Sequence, residues 1–296
     1  MSSARLIDGR LLALLRKQSL QTSIVNFVKT FALPPSLHVF LIGHNPASHL
    51  YVNNKQKACR QVGIPCTIHE YPDSIQQERL LEKICQLNQD ASVHGIFVQL
   101  PLPAHLPPQT LLNAIDPLKD VDGLHPYNLG RLMMGAPTVI PCTPKGCLDL
   151  IHSVKPDLRG QNAVVVGRSI LVGKPMAALL TNHNATVTLA HSQTKDLISV
   201  CRNADILVVA TGTPKFFDAN FIKPGAVIID VGINRIQNKA GESGVVGDVD
   251  TASAQKVAGF ITPVPGGVGP MTISCLLENT LAAAQQQLLS SLATTK

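Results

Sequence analysis

The sequence predicts an α/β protein of two α/β domains flanking a cleft, the second domain a Rossmann-like parallel sheet. Apolar, β-branched runs recur at regular spacing at Ala163–Val166, Ala185–Ala190, Asp205–Ala210 and Ala226–Val231. Stretches between them can supply helices, Lys195–Asn203 among them, which suits a parallel sheet covered on both faces. A separate strand–helix alternation fills the first half, and 296 residues suffice for two cores.

The second domain is organised around Ala163-Val-Val-Val-Gly-Arg-Ser-Ile-Leu-Val-Gly-Lys-Pro175. Four apolar residues run into Gly167, a short turn follows, and helical spacing with Met176, Leu179 and Leu180 begins after Pro175. A strand feeding a glycine turn and a helix N-terminus aims backbone N–H groups and the helix dipole at an anion. The glycine spacing is not the usual dinucleotide fingerprint, so the motif alone is equally a tight turn that binds nothing. An NAD site would place an acid at the end of the second strand, about 20 residues past the glycines. Here that position reads His191-Ser-Gln-Thr-Lys195, without an acid. Arg168 and Ser192, with Lys195 as a further candidate, suit a 2′-phosphate instead, which predicts a preference for NADP.

In the first half, Leu37–Gly43 reads as a strand and Asn45-Pro46 as a cap and first turn, opening a helix that Gly63 stops after Val62. Cys66–Tyr71 is the next strand, Ile75–Leu87 a helix, and His94–Leu100 a strand ending in a proline-rich loop. Leu11–Leu20 is an amphipathic first helix carrying Arg16 and Lys17. Asp116–Thr143, rich in Gly, Pro and Asp, is a linker or the floor of the cleft, and Thr143-Pro144 opens a helix to about Ser153. The loop Thr262–Thr272 precedes a helix from about Ile273 to Leu289 that returns to the first domain. The expected division is 1–140, with 270–296 packing back on it, and 141–269.

The net charge of +6 raises a nucleic-acid reading, but the basic residues are scattered and aromatics make up only 4%, too few to interleave as stacking platforms. A mild positive excess suits anionic small molecules equally well. No apolar run approaches a membrane-spanning length, and the first residues lack the apolar segment of a signal peptide. Seven cysteines without a regular framework fit reduced thiols in a cytoplasm. Cys142 and Cys147 match no metal-ligand pattern, so no metal is expected.

Tyr51 and Lys55 stand four apart on the helix opened by Asn45 and share a face, while Lys57 points away into solvent. A helical lysine is ordinarily a surface charge. Two neighbours argue otherwise: the Tyr51 ring beside the ammonium, and Gln99 at a strand end, able to hydrogen-bond an amine. A partly buried lysine among neutral partners loses basicity toward the range useful for proton transfer. Gln99 could equally be a strand-end polar group, and Asp122, followed by Gly123, a turn residue.

These residues belong to a larger pattern. It comprises Tyr51-Val-x-x-Lys55-x-Lys57, Gln99-Leu-Pro-Leu-Pro103, Asp120-Val-Asp-Gly123, Pro141-Cys-Thr-Pro-Lys-Gly146, Gly167-Arg-Ser-x-x-Val-Gly-x-Pro175 and His191-Ser192. It continues through Asp230-Val-Gly-Ile-Asn234, Gly247-Asp-Val-Asp250 and Thr262-Pro-Val-Pro-Gly-Gly-Val-Gly-Pro-Met-Thr272. In this order, over nearly its whole length, the chain resembles the bifunctional methylenetetrahydrofolate dehydrogenase/methenyltetrahydrofolate cyclohydrolase family. The resemblance implies a reduced folate in the cleft and a dissociable NADP along the second domain. It implies oxidation of 5,10-methylenetetrahydrofolate, then hydrolysis of the methenyl product to 10-formyltetrahydrofolate, in cytoplasmic one-carbon metabolism and purine biosynthesis. Carried over, Lys55 is the key residue of the hydrolysis, Gln99 holds and tunes it, Tyr51 stacks on the folate and Asp122 hydrogen-bonds the pterin. Leu100, Pro101, Gly266 and Gly267 help shape the folate site. Thr143, Gly167, Arg168, Ser169, His191, Ser192, Thr213 and Ile233 form the cofactor site. The resemblance also suggests a homodimer through the cofactor domain.

The sequence departs from some members at Ala190, a strand-end apolar position, and ends after one C-terminal helix, without room for a formate-activating ligase domain. The rival readings are a dehydrogenase without cyclohydrolase activity, against which Lys55 argues, and a non-catalytic NADP-sensing module, for which the Tyr51/Lys55 face and Gln99 would be surplus. A nucleic-acid binder is the weakest rival.

Overall fold

The structure is a computed structural model that describes residues 3–237 and 243–294. The flanking residues 1–2 and 295–296 of the expected domains, and residues 238–242, lie outside the described residues. The chain divides into two compact units.

One unit comprises Leu15–Arg131, Pro137–Cys142 and Ile273–Lys296. Its sheet has three parallel strands in the order Cys66–Tyr71, Leu37–Ile42, Gly95–Val98. The helix Pro46–Val62 begins as its sequence dictates: Asn45 Oδ1 accepts from the backbone N–H of Ala47 and Ser48, and Pro46 occupies the first turn. It ends at Gly63, whose left-handed φ of 87° lets its N–H donate back to the Cys59 carbonyl. Val52, Cys59 and Val62 from this helix meet Leu37, Val39 and Leu41 of the central strand. The C-terminal helix, Val268–Thr294, supplies Cys275, Leu276, Leu277 and Leu281 to the same core, the return that the sequence predicts. Full burial of such side chains contributes roughly 1.5–3 kcal/mol each. The opposite face of the sheet buries Phe40, Ile42, Ile96 and Val98 against Leu80, Ile84 and Leu87 of the helix Gln77–Gln89.

The other unit comprises Met1–Leu14, Leu132–Ala136 and Thr143–Thr272. Its six-stranded sheet is parallel throughout, in the order Arg5–Leu6, Phe260–Ile261, Val227–Asp230, Ile206–Val209, Asn162–Val166, Thr186–Ala190. The order reverses at Asn162–Val166: the chain goes first to one neighbour, then crosses to the other. In an open parallel sheet that switch point, at the carboxyl ends of the strands, is where ligands bind.

Several boundaries differ from the sequence reading. Residues 3–14 and 132–136 belong with the six-stranded unit rather than with 15–131: Arg5–Leu6 pairs with Phe260–Ile261, and the Leu132 carbonyl accepts from Asn182 Nδ2 at 2.8 Å. The first helix is longer than expected, Gly9–Phe31, since Leu20, Ile24 and Phe27 continue its buried face. The last helix begins at Val268, inside the expected loop, with Pro270 in its first turn, where a missing N–H costs little. The segment 116–143 holds a helix, Pro126–Met133, opened by a proline in its first turn. Among the described residues no helix is long and apolar enough to cross a membrane.

Candidate active site

The first cluster lies within the three-stranded unit. Lys55 is only 7% exposed, and its Nζ donates to Gln99 Oε1 at 2.8 Å. Gln99 follows the strand Gly95–Val98; its backbone N–H donates to the Phe40 carbonyl at 3.0 Å, and its Nε2 to the Leu100 carbonyl at 2.6 Å. Both ends of the amide are thereby engaged, so its oxygen stays turned toward the amine. The ring over the Lys55 ammonium is that of Phe97, 3.6 Å from Nζ to the ring centroid. Tyr51, whose ring the sequence places beside the ammonium, is half-buried one helical turn before Lys55. Phe97 could have been found, because residues two apart on a strand share a face, so Phe97 accompanies Gln99. Lys57 is exposed.

Burial pushes the Lys55 amine down from 10.5 to about 8, against the opposing pull of Asp122. At pH 7 about one molecule in ten then carries a neutral amine at this position. Burial likewise pushes the Asp122 carboxyl up to about 6, with Lys55 pulling it down and Asp120 adding to the rise. The Asp-Gly turn at 122–123 is capped by the other acid: Asp120 accepts from the N–H groups of Gly123 and His125 and from the Asn128 side chain, at 2.8–3.0 Å. That leaves the Asp122 carboxylate to interact with Lys55 and, through a side-chain hydrogen bond, with Cys142. The Val121 carbonyl, 3.3 Å from Cys142 Sγ, competes for the same single S–H.

Ser48, seven residues before Lys55 on the same helix face, is buried with a hydroxyl that has no hydrogen-bond partner among the described residues. Helical spacing could have placed it with Tyr51 and Lys55; the sequence reading missed it. Leu100 is partly buried and Pro101 exposed in the loop after the strand. The cluster thus combines a desolvated amine able to give or take a proton, an amide that orients it, a carboxylate and an unpartnered hydroxyl.

The second cluster lies in the six-stranded unit, at its switch point. Gly167 adopts φ 121°, and a Cβ there would collide with the Ala210 carbonyl at the end of the neighbouring strand. A Cβ at Gly173 would strike the Gly167 carbonyl, so the turn closes only with glycine at both ends. Ser169 Oγ accepts from the Val172 N–H at 3.2 Å, and the helix Gly173–Asn182 follows. Arg168 and Ser169 are exposed on this turn. After the strand Thr186–Ala190, the His191 N–H donates to Thr194 Oγ1 (2.8 Å) and the Gln193 N–H to His191 Nδ1 (3.2 Å), holding a turn with Ser192 exposed on it. Thr213 and Ile233 are exposed on the loops after the next two strands. A guanidinium, two hydroxyls and a helix N-terminus at strand ends suit a phosphate-bearing dinucleotide.

Of the remaining expected residues, Thr143 stands inside the helix Cys142–His152, one residue past its start rather than as its cap, and its hydroxyl accepts from the Thr272 hydroxyl at 3.2 Å. Gly266 and Gly267 are buried, and Gly9 packs so closely on the Gly267 carbonyl that no Cβ fits there.

Comparison with known proteins matches both units to one family. Residues 7–122 match the tetrahydrofolate dehydrogenase/cyclohydrolase catalytic domain, and residues 141–288 the NAD(P)-binding domain of the same family. The bifunctional protein FolD of Rhodospirillum centenum is 54% identical over 96% of this chain and 95% of its own. The FolD crystal structure from Campylobacter jejuni aligns with a TM-score of 0.91 at 43% identity, over 96% of this chain and 99% of that one. The methylenetetrahydrofolate dehydrogenase-cyclohydrolase of Trypanosoma brucei, solved with NADP and an inhibitor, aligns at 0.93 and 37% identity, over 97% and 99%. The chain therefore belongs to the tetrahydrofolate dehydrogenase/cyclohydrolase family.

Proposed function

We propose that this chain is a bifunctional enzyme that oxidises 5,10-methylenetetrahydrofolate with NADP and hydrolyses the methenyl product to 10-formyltetrahydrofolate. The observation that carries the reading is the buried Lys55 amine held by Gln99, on a segment matching the family's catalytic domain.

NADP, when bound, accepts hydride from the carbon bridging N5 and N10 of the folate. Loss of hydride leaves a conjugated cation, so the chain needs no strong base in this step; its contribution is positioning, worth up to roughly 7–11 kcal/mol of a bimolecular barrier. Tyr51 stacks on the folate, and Asp122, ionised at neutral pH, accepts from pterin N–H groups. Arg168 and Ser192 recognise the 2′-phosphate, and Thr143, Gly167, Ser169, His191, Thr213 and Ile233 hold the rest of the dinucleotide.

Hydrolysis needs proton management. Water adds to the bridging carbon as its proton passes to the neutral Lys55 amine. The bond from that carbon to N5 then breaks, N5 takes the proton back from the ammonium, and the hydroxyl proton leaves as the formyl carbonyl forms on N10. One water is consumed and one proton is released. Gln99 keeps the amine aimed through both transfers. The enzyme works as a cytoplasmic homodimer, paired through the dinucleotide unit, and its product supports purine synthesis.

The test follows both steps on one preparation. With methylenetetrahydrofolate and NADP, absorbance of the reduced nicotinamide should grow, and added methenyltetrahydrofolate should decay faster than in buffer. Failure to reduce NADP would overturn the dehydrogenase half; decay at the buffer rate would overturn the hydrolase half.

A further inference from the structure

At the carboxyl ends of the strands Ile206–Val209 and Val227–Asp230, two buried carboxylates stand in series. Asp230 Oδ1 accepts from the backbone N–H groups of Gly232 (2.9 Å) and Asp248 (3.0 Å), and its Oδ2 from that of Val249 (2.9 Å). Asp248, 0% exposed, is thereby fixed by its backbone, and its side chain reaches two loops. Its Oδ2 accepts from the N–H of Thr211 (2.6 Å), the hydroxyl of Thr211 (3.0 Å) and the N–H of Gly212 (2.9 Å). Its Oδ1 accepts from Asn234 Nδ2 at 2.8 Å. The glycines beside them serve this arrangement: a Cβ at Gly232 would collide with the Asp248 carboxylate, and one at Gly247 with that of Asp230.

Buried carboxylates are a costly way to close a sheet end, since apolar side chains would do so without desolvating charge. What a carboxylate adds is fixed direction for several N–H donors at once. The two segments it ties follow the strands Ile206–Val209 and Val227–Asp230 and carry Thr213 and Ile233, both exposed at the carboxyl end of the sheet. We propose that Asp248 is a positioning residue for the dinucleotide, its single carboxylate holding the Thr213 loop and the Ile233 loop at one spacing. The inference rests on the NADP reading given above.

The experiment measures the Kd for NADP by calorimetry and, separately, cyclohydrolase activity without NADP, which depends on Lys55, Gln99 and Asp122 of the other unit. Asp248→Ala should raise the Kd by about tenfold or more, with cyclohydrolase activity within about twofold of wild type. Asp248→Asn should recover most of the affinity, because its amide oxygen still accepts from Thr211 and Gly212 while a rotated Asn234 amide accepts from its NH₂. Binding by Asp248→Ala within about twofold of wild type would overturn the inference. So would parallel loss of NADP binding and cyclohydrolase activity in both variants, the signature of a purely structural residue. Wild-type protein that binds no NADP would instead overturn the functional reading, and the inference with it.

Discussion

Replacing Lys55 with Met separates chemistry from folding. Methionine is unbranched and close to lysine in length, so it can pack beside Phe97, but it carries no titratable proton. Keeping Lys55 protonated in its pocket is costly: the fall of its pKa from 10.5 to about 8 corresponds to roughly 3 kcal/mol. The sign follows from linkage. The folded pKa lies below the unfolded one, so stability is lost as pH falls from 10.5 toward 8 and the full cost applies at neutral pH. Methionine removes that cost but leaves Gln99 Oε1 without its donor, a loss of about 1–3 kcal/mol. The two effects oppose, so Lys55→Met should unfold within about 2 kcal/mol of wild type. Activity should part company with stability, because a positioned proton-transfer group is worth about 10²–10⁴-fold. Decay of methenyltetrahydrofolate should slow by that factor, while NADP reduction with methylenetetrahydrofolate keeps a much larger share of its rate. Chemical denaturation and the two absorbance assays on one preparation give all three numbers. Full hydrolysis by the variant would remove Lys55 from the mechanism; equal loss of both activities in a well-folded variant would refute the division of labour.

Asp122→Asn should weaken folate binding by about tenfold, the scale of one hydrogen bond to a charged group, and an unchanged folate Kd by fluorescence titration would count against the pterin contact. Arg168→Ala should raise the KM for NADP by about tenfold and leave that for NAD nearly unchanged; equal effects on both would show that Arg168 does not read the 2′-phosphate. Gly167→Ala should impair dinucleotide binding or lower the Tm, since both its φ of 121° and the Ala210 carbonyl exclude a Cβ; a variant with wild-type Tm and NADP affinity would mean that the turn relaxes freely.

Much of the framework was legible because it is local. The apolar runs around Val164 and Val208 could only be buried strands, and Asn45, Pro46 and Gly63 mark their helix by capping chemistry alone. The face shared by Tyr51 and Lys55 follows from helical period, and the approach of Gln99 from its place at a strand end. What stayed hidden depends on contacts distant in sequence. Arg5–Leu6 carries no strand signal of its own and becomes a strand only by pairing with Phe260–Ile261. Asp120 and Asp122 look alike in the sequence, and only the fold shows that Asp120 caps the turn. Asp230 and Asp248 stand out in the sequence within Gly/Asp-rich motifs, yet nothing local reveals that one carboxylate holds the other in place.

The most direct test of the account is the pH dependence of methenyltetrahydrofolate hydrolysis, corrected for the rate in buffer and compared between wild type and Lys55→Met. Because burial lowers the amine to about 8, the neutral, proton-accepting form gains population as pH rises. The wild-type rate should therefore climb through an apparent pKa near 8, and that limb should vanish in the variant. A wild-type profile flat across this range, or a limb that survives in Lys55→Met, would contradict the assignment of proton transfer to the buried amine.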